Sequence, residues 1–289
     1  MCSVLNADIH PMTANELLQL CQLVEGLCGI QLDASKQYLL ETRLLKTLIE
    51  YNCASYSDFI QLMKTSAQVK LKPLVIDAMT TKETLWFRDV HPYETIASTI
   101  LPDLLNQNPI GSIKLWSAAC STGQEPYSLA MLVHEYAEAH PHLEIIPKHR
   151  VHILGTDVAS SSIALSKLAR YDILAMGRGI SPERKNKFFD SQGRVHVVRD
   201  EVKALCEFKI ANLGEDLTNS VGQNFDLICL RNVAIYFSAE FRQLLFNRLA
   251  KMLKPNGYLV LGATENLTGL QTPFIPQSIG KTTVFRLRG

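Results

Sequence analysis

The sequence lacks most of the features that assign a protein by composition. No apolar run approaches the ~18 residues needed to cross a bilayer, and the start, Met1-Cys2-Ser3-Val4-Leu5, has no basic stretch leading into an apolar core. Neither membrane insertion nor export is expected, so the cytoplasm is the default compartment. The seven cysteines (Cys2, Cys21, Cys28, Cys53, Cys120, Cys206, Cys229) are odd in number and contain no Cys-x-x-Cys pair, which disfavours a disulfide framework or a zinc knuckle and leaves reduced thiols. Eight histidines include no His-x-x-x-His spacing, and no metal is expected. An excess of one charge is also missing: 29 basic against 28 acidic side chains leave a net charge of +1, so no whole-molecule field draws phosphate backbones and nucleic acid is not an expected partner.

What is present is a globular chain of 289 residues, 47% hydrophobic and 20% charged, enough for one large or two modest domains. The first ~75 residues carry helical periodicity. Leu17, Leu20, Cys21, Val24, Leu27 and Cys28 recur at threes and fours, and Asp33 is placed to cap a following helix. In that helix the spacing predicts Tyr38, Leu45, Leu48 and Ile49 on the inner side, with Lys36, Arg43 and Lys46 on the outer one. The basic side is either a solvated face or a docking face for an acidic partner. A third helix is expected over Tyr56 to Met63.

From about residue 111 the pattern changes to short β-rich runs alternating with helices, implying βαβ units and a mostly parallel sheet. The predicted strands are Ile113 to Trp116, Val151 to Leu154, Phe225 to Leu230, Tyr258 to Leu261 and Thr283 to Leu287. Such sheets bind ligands outside the carboxyl ends of their strands. The first strand runs into Ser117-Ala118-Ala119-Cys120-Ser121-Thr122-Gly123-Gln124-Glu125-Pro126, where small residues allow close backbone approach but neither a dinucleotide nor a Walker pattern is met. Glu125 suits a cationic or hydroxyl-bearing ligand better than a phosphate. The second strand ends in Gly155-Thr156-Asp157, a carboxylate where ribose hydroxyls are commonly held, although an N-cap would use the same residue. Nucleotide and S-adenosylmethionine both remain open at this point.

Two further segments, Thr80-Thr81-Lys82-Glu83-Thr84-Leu85-Trp86-Phe87-Arg88 and Arg231-Asn232-Val233-Ala234-Ile235-Tyr236, complete a set of separated motifs with Ser121 to Ser128, Gly155-Thr156-Asp157 and Asn212-Leu213. In this order they resemble the CheR family of chemotaxis receptor glutamate methyltransferases over essentially the whole chain. The resemblance implies an α/β fold of the class I S-adenosylmethionine-dependent methyltransferases, Rossmann-like and mostly parallel. It adds a small antiparallel β-subdomain near 190–210 and a helical receptor-docking domain at 1–75, ahead of the methyltransferase domain at 76–289. It implies S-adenosylmethionine as cofactor, held by Lys82, Thr84, Arg88, Glu125, Asp157, Asn212, Leu213, Asn232 and Val233, with Arg88 and Tyr236 facing the reacting atoms. The sequence departs from the family at Lys82, usually an asparagine touching the cofactor, and at His91-Pro92-Tyr93, where the family has His-Phe.

The implied reaction moves a sulfonium methyl to a glutamate carboxylate that is already ionised at pH 7, so no general base is required. A planar guanidinium at Arg88 suits a carboxylate, and Tyr236 can add a hydrogen bond. A monomer is expected to meet the receptor's cytoplasmic helices through Lys36, Arg43 and Lys46. It is expected to do so without a tether to a receptor C-terminal pentapeptide, because Asp190-Ser191-Gln192-Gly193 looks too short for the family's docking edge. A nucleic-acid base methyltransferase would need an Asn-Pro-Pro-Tyr type segment and a basic groove, and the chain offers neither. A non-catalytic receptor-binding adaptor that keeps the ligand fold is the rival reading, because of Lys82.

Overall fold

A computed structural model describes residues 9–146 and 149–288; Cys2 and the start read above for an export signal lie outside the described residues. Four helices form the first layer: α1 (Ala14–Cys28), α2 (Gln37–Glu50), α3 (Tyr56–Leu62) and α4 (Gln68–Met79). A capping box starts α1: Thr13 Oγ1 accepts the Glu16 amide at 3.3 Å and the Glu16 carboxylate accepts the Thr13 amide at 2.8 Å. Glu16 also accepts the Ser57 amide and hydroxyl, each at 2.7 Å, tying α1 to α3. Burial raises the Glu16 pKa, but the bonds from Thr13 and Ser57 outweigh it and bring it down to about 2.

The core of this layer is Leu20, Val24, Leu40, Leu44, Leu48, Phe59 and Leu71, all fully buried. It corrects the expected inner face of α2. Leu40, Leu44, Thr47 and Leu48 are buried, whereas Tyr38 is 61% and Leu45 43% exposed. Two apolar stripes coexist in this helix, and packing against α4 selects the one at 40, 44 and 48. The expected boundary at residue 75 falls inside α4, and Val75, Ile76 and Met79 belong to the same core, so the helical layer runs to Met79.

The remainder holds α5 (His91–Thr95), continued by a π-turn at Ile96–Ile100 into α6 (Leu101–Gln107), then α7 (Gln124–Ala139), α8 (Ser160–Leu168), α9 (Ile173–Met176), α10 (Pro182–Phe188), α11 (Asp200–Lys203) and α12 (Ala239–Met252). Among the described residues no helix is long and apolar enough to cross a membrane. The strands are β1 (Ile113–Ala118), β2 (Val151–Asp157), β3 (Arg170–Asp172), β4 (Phe189–Gln192), β5 (Val195–Val198), β6 (Cys206–Ile210), β7 (Phe225–Leu230), β8 (Leu253–Leu261), β9 (Phe274–Ile279) and β10 (Thr282–Leu287).

Seven strands make one sheet in the order β6-β2-β1-β7-β8-β10-β9, parallel from β6 to β8 and antiparallel at β10 and β9. The central strands are buried on both faces, which is why they read as continuous apolar runs. One face packs on Tyr127, Leu129 and Val133 of α7, the other on Leu245, Phe246 and Leu249 of α12. Because the chain moves from β1 outward to β2 and β6 and then returns to β7, the strand order reverses between β1 and β7, and a crevice opens there at the carboxyl edge.

The small antiparallel sheet is β3-β5-β4, not a unit at 190–210. Strand β6 leaves it to pair with β2 in the main sheet, because its alternating residues meet the β2 backbone through five parallel register pairs. Asp190, Ser191 and Gln192 lie within β4 and are not a loop; the β4–β5 connection is Gly193-Arg194 alone, with Gly193 at φ 65°. Strand β9, not expected from the sequence, tolerates Pro276 because it is the sheet edge.

Candidate active site at the carboxyl edge of the sheet

The loop after β1 turns through three left-handed residues, Ala119 (φ 62°), Ser121 (φ 49°) and Gly123 (φ 95°). At Gly123 a Cβ would meet Ser166 and Tyr171 at 3.0 Å, so glycine serves both the conformation and the close packing. This winding aims the Ser121 amide at Asp157 Oδ2 (2.8 Å), while Asp157 Oδ1 accepts the Ala159 amide at 2.9 Å. Each oxygen keeps a lone pair directed elsewhere. Burial raises the Asp157 pKa, and the two amides partly oppose that rise.

Glu125, at the start of α7, accepts the Ser117 hydroxyl on Oε1 (2.8 Å) and Arg231 Nη1 on Oε2 (2.8 Å). Arg231 is the hub of the site. Its guanidinium is buried and also donates to Asp89 Oδ2 (2.9 Å), the Arg88 carbonyl (2.6 Å) and the Tyr93 hydroxyl (3.2 Å). Burial works against its charge, but Tyr93 and Glu125 outweigh that effect and keep it charged. Beyond it, Asn232 is left-handed (φ 58°), and the turn is held by one carboxylate: Glu265 accepts the amides of Asn232 (2.6 Å), Val233 (2.9 Å), Ala234 (2.7 Å) and Gly262 (2.8 Å).

Over the crevice lies the Thr80–Arg88 strap, closed by left-handed Phe87 (φ 46°), Asp89 (φ 69°) and Val90 (φ 53°). Such strain outside glycine persists only where the surroundings impose it, and here Trp86 and Phe87 are buried while Arg231 grips Arg88 and Asp89. Arg88 lines the cavity, and among the described residues its guanidinium makes a single long contact, 3.4 Å to the Glu83 carbonyl.

All ten residues singled out from the sequence (Lys82, Thr84, Arg88, Glu125, Asp157, Asn212, Leu213, Asn232, Val233 and Tyr236) line this one cavity. Two of them use their side chains elsewhere. Lys82 Nζ bonds Ser161 Oγ at 2.7 Å and stands 3.9 Å from Asp77, and the Asn212 amide donates to the Leu27 carbonyl at 2.8 Å and accepts from Gly214 at 3.0 Å. Of the expected basic docking face, Lys36 and Lys46 are exposed, but Arg43 is not free: it donates to the Met79 carbonyl at 2.6 Å and reaches Thr81 Oγ1 at 3.5 Å. The sequence reading missed the roles of Arg231, Asp89, Tyr93 and Glu265, and the wall contributed by Cys28 and Ile30. Glu265 follows β8 as Asp157 ends β2, so the positional rule that found one could have found the other. Burial pushes the thiols of Cys120 and Cys229 well up, which disfavours a resting thiolate at either.

Comparison with known proteins accords with this geometry. Residues 82–283 match the family described as CheR methyltransferase, SAM binding domain, and residues 15–80 match the CheR methyltransferase all-alpha domain. The chain is 42% identical to chemotaxis protein methyltransferase 1 of Vibrio cholerae, over 90% of this chain and 92% of that one. It is 42% identical to chemotaxis protein methyltransferase 1 of Pseudomonas aeruginosa (86% and 88% covered) and 32% to the Borreliella burgdorferi chemotaxis protein methyltransferase (91% and 92%).

Proposed function

The chain belongs to the CheR methyltransferase family, and from that premise we propose that it esterifies glutamate side chains of chemotaxis receptors, leaving S-adenosylhomocysteine. The observation that carries this reading is the convergence of an acidic pair, Glu125 and Asp157, with Arg88 and Tyr236 around one cavity. Donor and acceptor chemistry match that set. When bound, S-adenosylmethionine supplies a methyl group on a sulfonium. Asp157 offers its free lone pairs to two ribose hydroxyls, and Glu125, already oriented by Ser117 and Arg231, offers its carboxylate to an ammonium.

The Arg88 guanidinium, with little else to hold it, receives the acceptor carboxylate through paired hydrogen bonds, and Tyr236 donates a further one. A glutamate with a pKa near ~4.3 arrives ionised, so alignment and exclusion of water are the tasks left to these side chains. Lys82 no longer counts against catalysis in this reading, because its ammonium is drawn to Ser161 and Asp77. The enzyme acts in the cytoplasm as a monomer, and its two-residue β4–β5 turn supports encounter with receptor helices without a pentapeptide tether, through Lys36 and Lys46.

The decisive assay combines the chain with tritiated S-adenosylmethionine and receptor-containing membranes. Label in base-labile carboxyl esters is expected; binding of the cofactor with no transfer would favour a non-catalytic adaptor.

A further inference from the structure

One wall of the cavity does not come from the methyltransferase sheet at all. Helix α1 ends at Cys28, and Gly29 (φ 77°) reverses the chain, its amide donating to the Glu25 carbonyl at 2.7 Å. A Cβ at Gly29 would stand 2.9 Å from the Phe241 ring, so the turn is pressed against α12. Beyond it, Ile30 and Phe237 form an antiparallel bridge and the Gln31 amide donates to the Tyr236 carbonyl at 2.8 Å. One turn earlier, the Leu27 carbonyl accepts the Asn212 side chain. Five consecutive residues of the helical layer thus hold two cavity residues that sit on separate loops.

Tyr236 needs such a brace. It belongs to a three-residue 3-10 turn and is 38% exposed, so where its ring stands depends on the path of that short turn. Its main chain is held by its own amide to the Val233 carbonyl (3.1 Å) and by Gln31. Gln31 itself is exposed and does not line the cavity.

We propose that the Leu27–Gln31 turn is a positioning element for methyl transfer: through the Gln31 amide it sets Tyr236, so the helical layer governs the rate of transfer separately from cofactor binding. This rests on the reading above that Tyr236 faces the acceptor carboxylate. Gln31→Pro deletes the single N–H, and Ile30, already extended in its bridge, meets proline's demand on the preceding residue. Gln31→Ala keeps the N–H and is the control.

Relative to the control, kcat of Gln31→Pro should fall about tenfold while the Kd for S-adenosylhomocysteine and the Tm stay close to those of the control. In a Tyr236→Phe background the proline should cost little more, since both changes act on one group. Equal kcat for the two Gln31 variants, a joint fall of kcat, affinity and Tm, or full additivity with Tyr236→Phe would each overturn the proposal. A wild-type chain that binds S-adenosylhomocysteine yet forms no esters would overturn the functional reading, and this proposal with it.

Discussion

The two sides of the cavity are held in opposite ways. On the sheet side, Asp157, Glu125, Arg231 and Glu265 are tied by short bonds to amides, hydroxyls and one another, mostly out of solvent. On the strap side, the 86–89 end is held by the Phe87 amide to Ser128 (3.2 Å) and by Arg231, but the side-chain contacts made by Lys82, Glu83 and Arg88 are exposed: Lys82 to Ser161, Arg88 to the Glu83 carbonyl, and Arg178 to Glu83 at 3.0 Å. Buried charge networks are strongly destabilised when one member is removed, whereas exposed ion pairs contribute little. The sheet side is therefore a preset mould, and the exposed 81–83 stretch of the strap is the part held most weakly.

The largest effect should come from Arg231→Met, which strands Glu125 and Asp89 and should cost about 3–5 kcal/mol in chemical denaturation. Glu83→Ala, which removes the Arg178 pair on the strap, should cost less than ~1 kcal/mol. Equal losses would abolish the contrast. Next, Arg88→Ala should lower turnover about 100-fold, because the acceptor is no longer aligned. Product affinity measured by calorimetry should barely change, and Arg88→Lys should recover little; near-full activity in the lysine variant would reduce the role to simple charge attraction.

Asp157→Ala should weaken S-adenosylhomocysteine binding by about 1.5–3 kcal/mol, the value of hydrogen bonds to a charged group. The same residue gives a pH signature. Burial raises its pKa from 3.8, so above pH 3.8 there is a window in which the folded chain keeps a proton that the unfolded chain has lost. The contribution to stability is present at lower pH and declines as pH rises through that window. Binding should move the other way, since hydroxyl donors need the ionised carboxylate. Paired thermal melts and titrations across that range, on wild type and Asp157→Asn, check both slopes. The smallest effect belongs to Lys82→Asn: under ~1 kcal/mol in stability, diminishing further at high salt.

Much of this was legible in the sequence, for identifiable reasons. Strands β1, β2 and β7 are apolar runs that stop at polar loops, and cavity-lining residues stand at their ends, so Glu125 and Asp157 could be singled out by position, whereas Asn232 came from the family resemblance. The failures share a cause. The inner face of α2 was ambiguous because Tyr38 and Leu45 form a second apolar stripe, and only the partner helix chooses between the two. Strand β9 was hidden by Pro276, acceptable only at an edge that the sequence does not mark. Arg43 read as a free cation because the carbonyl that captures it is 36 residues away, and Glu265 was passed over because its four amides come from a loop about 30 residues upstream and from its own turn. Short-range periodicity reports elements and their ends; it does not report which distant group closes a polar contact.

The chain has two tryptophans, and their settings make them unequal as optical probes. Trp116 lies within β1 with its indole N–H bonded to Thr156 at 2.9 Å, in the rigid centre of the sheet. Trp86 sits at the root of the strap, edge-on to Tyr171 at 4.8 Å and Phe189 at 5.2 Å, and among the described residues its indole N–H has no protein partner. A displacement of Trp86 would change its packing against those two rings and the surroundings of its N–H, whereas Trp116 lies in the sheet, apart from the strap. A Trp116→Phe chain would carry a single emitter whose spectrum follows strap movement in real time, without a label.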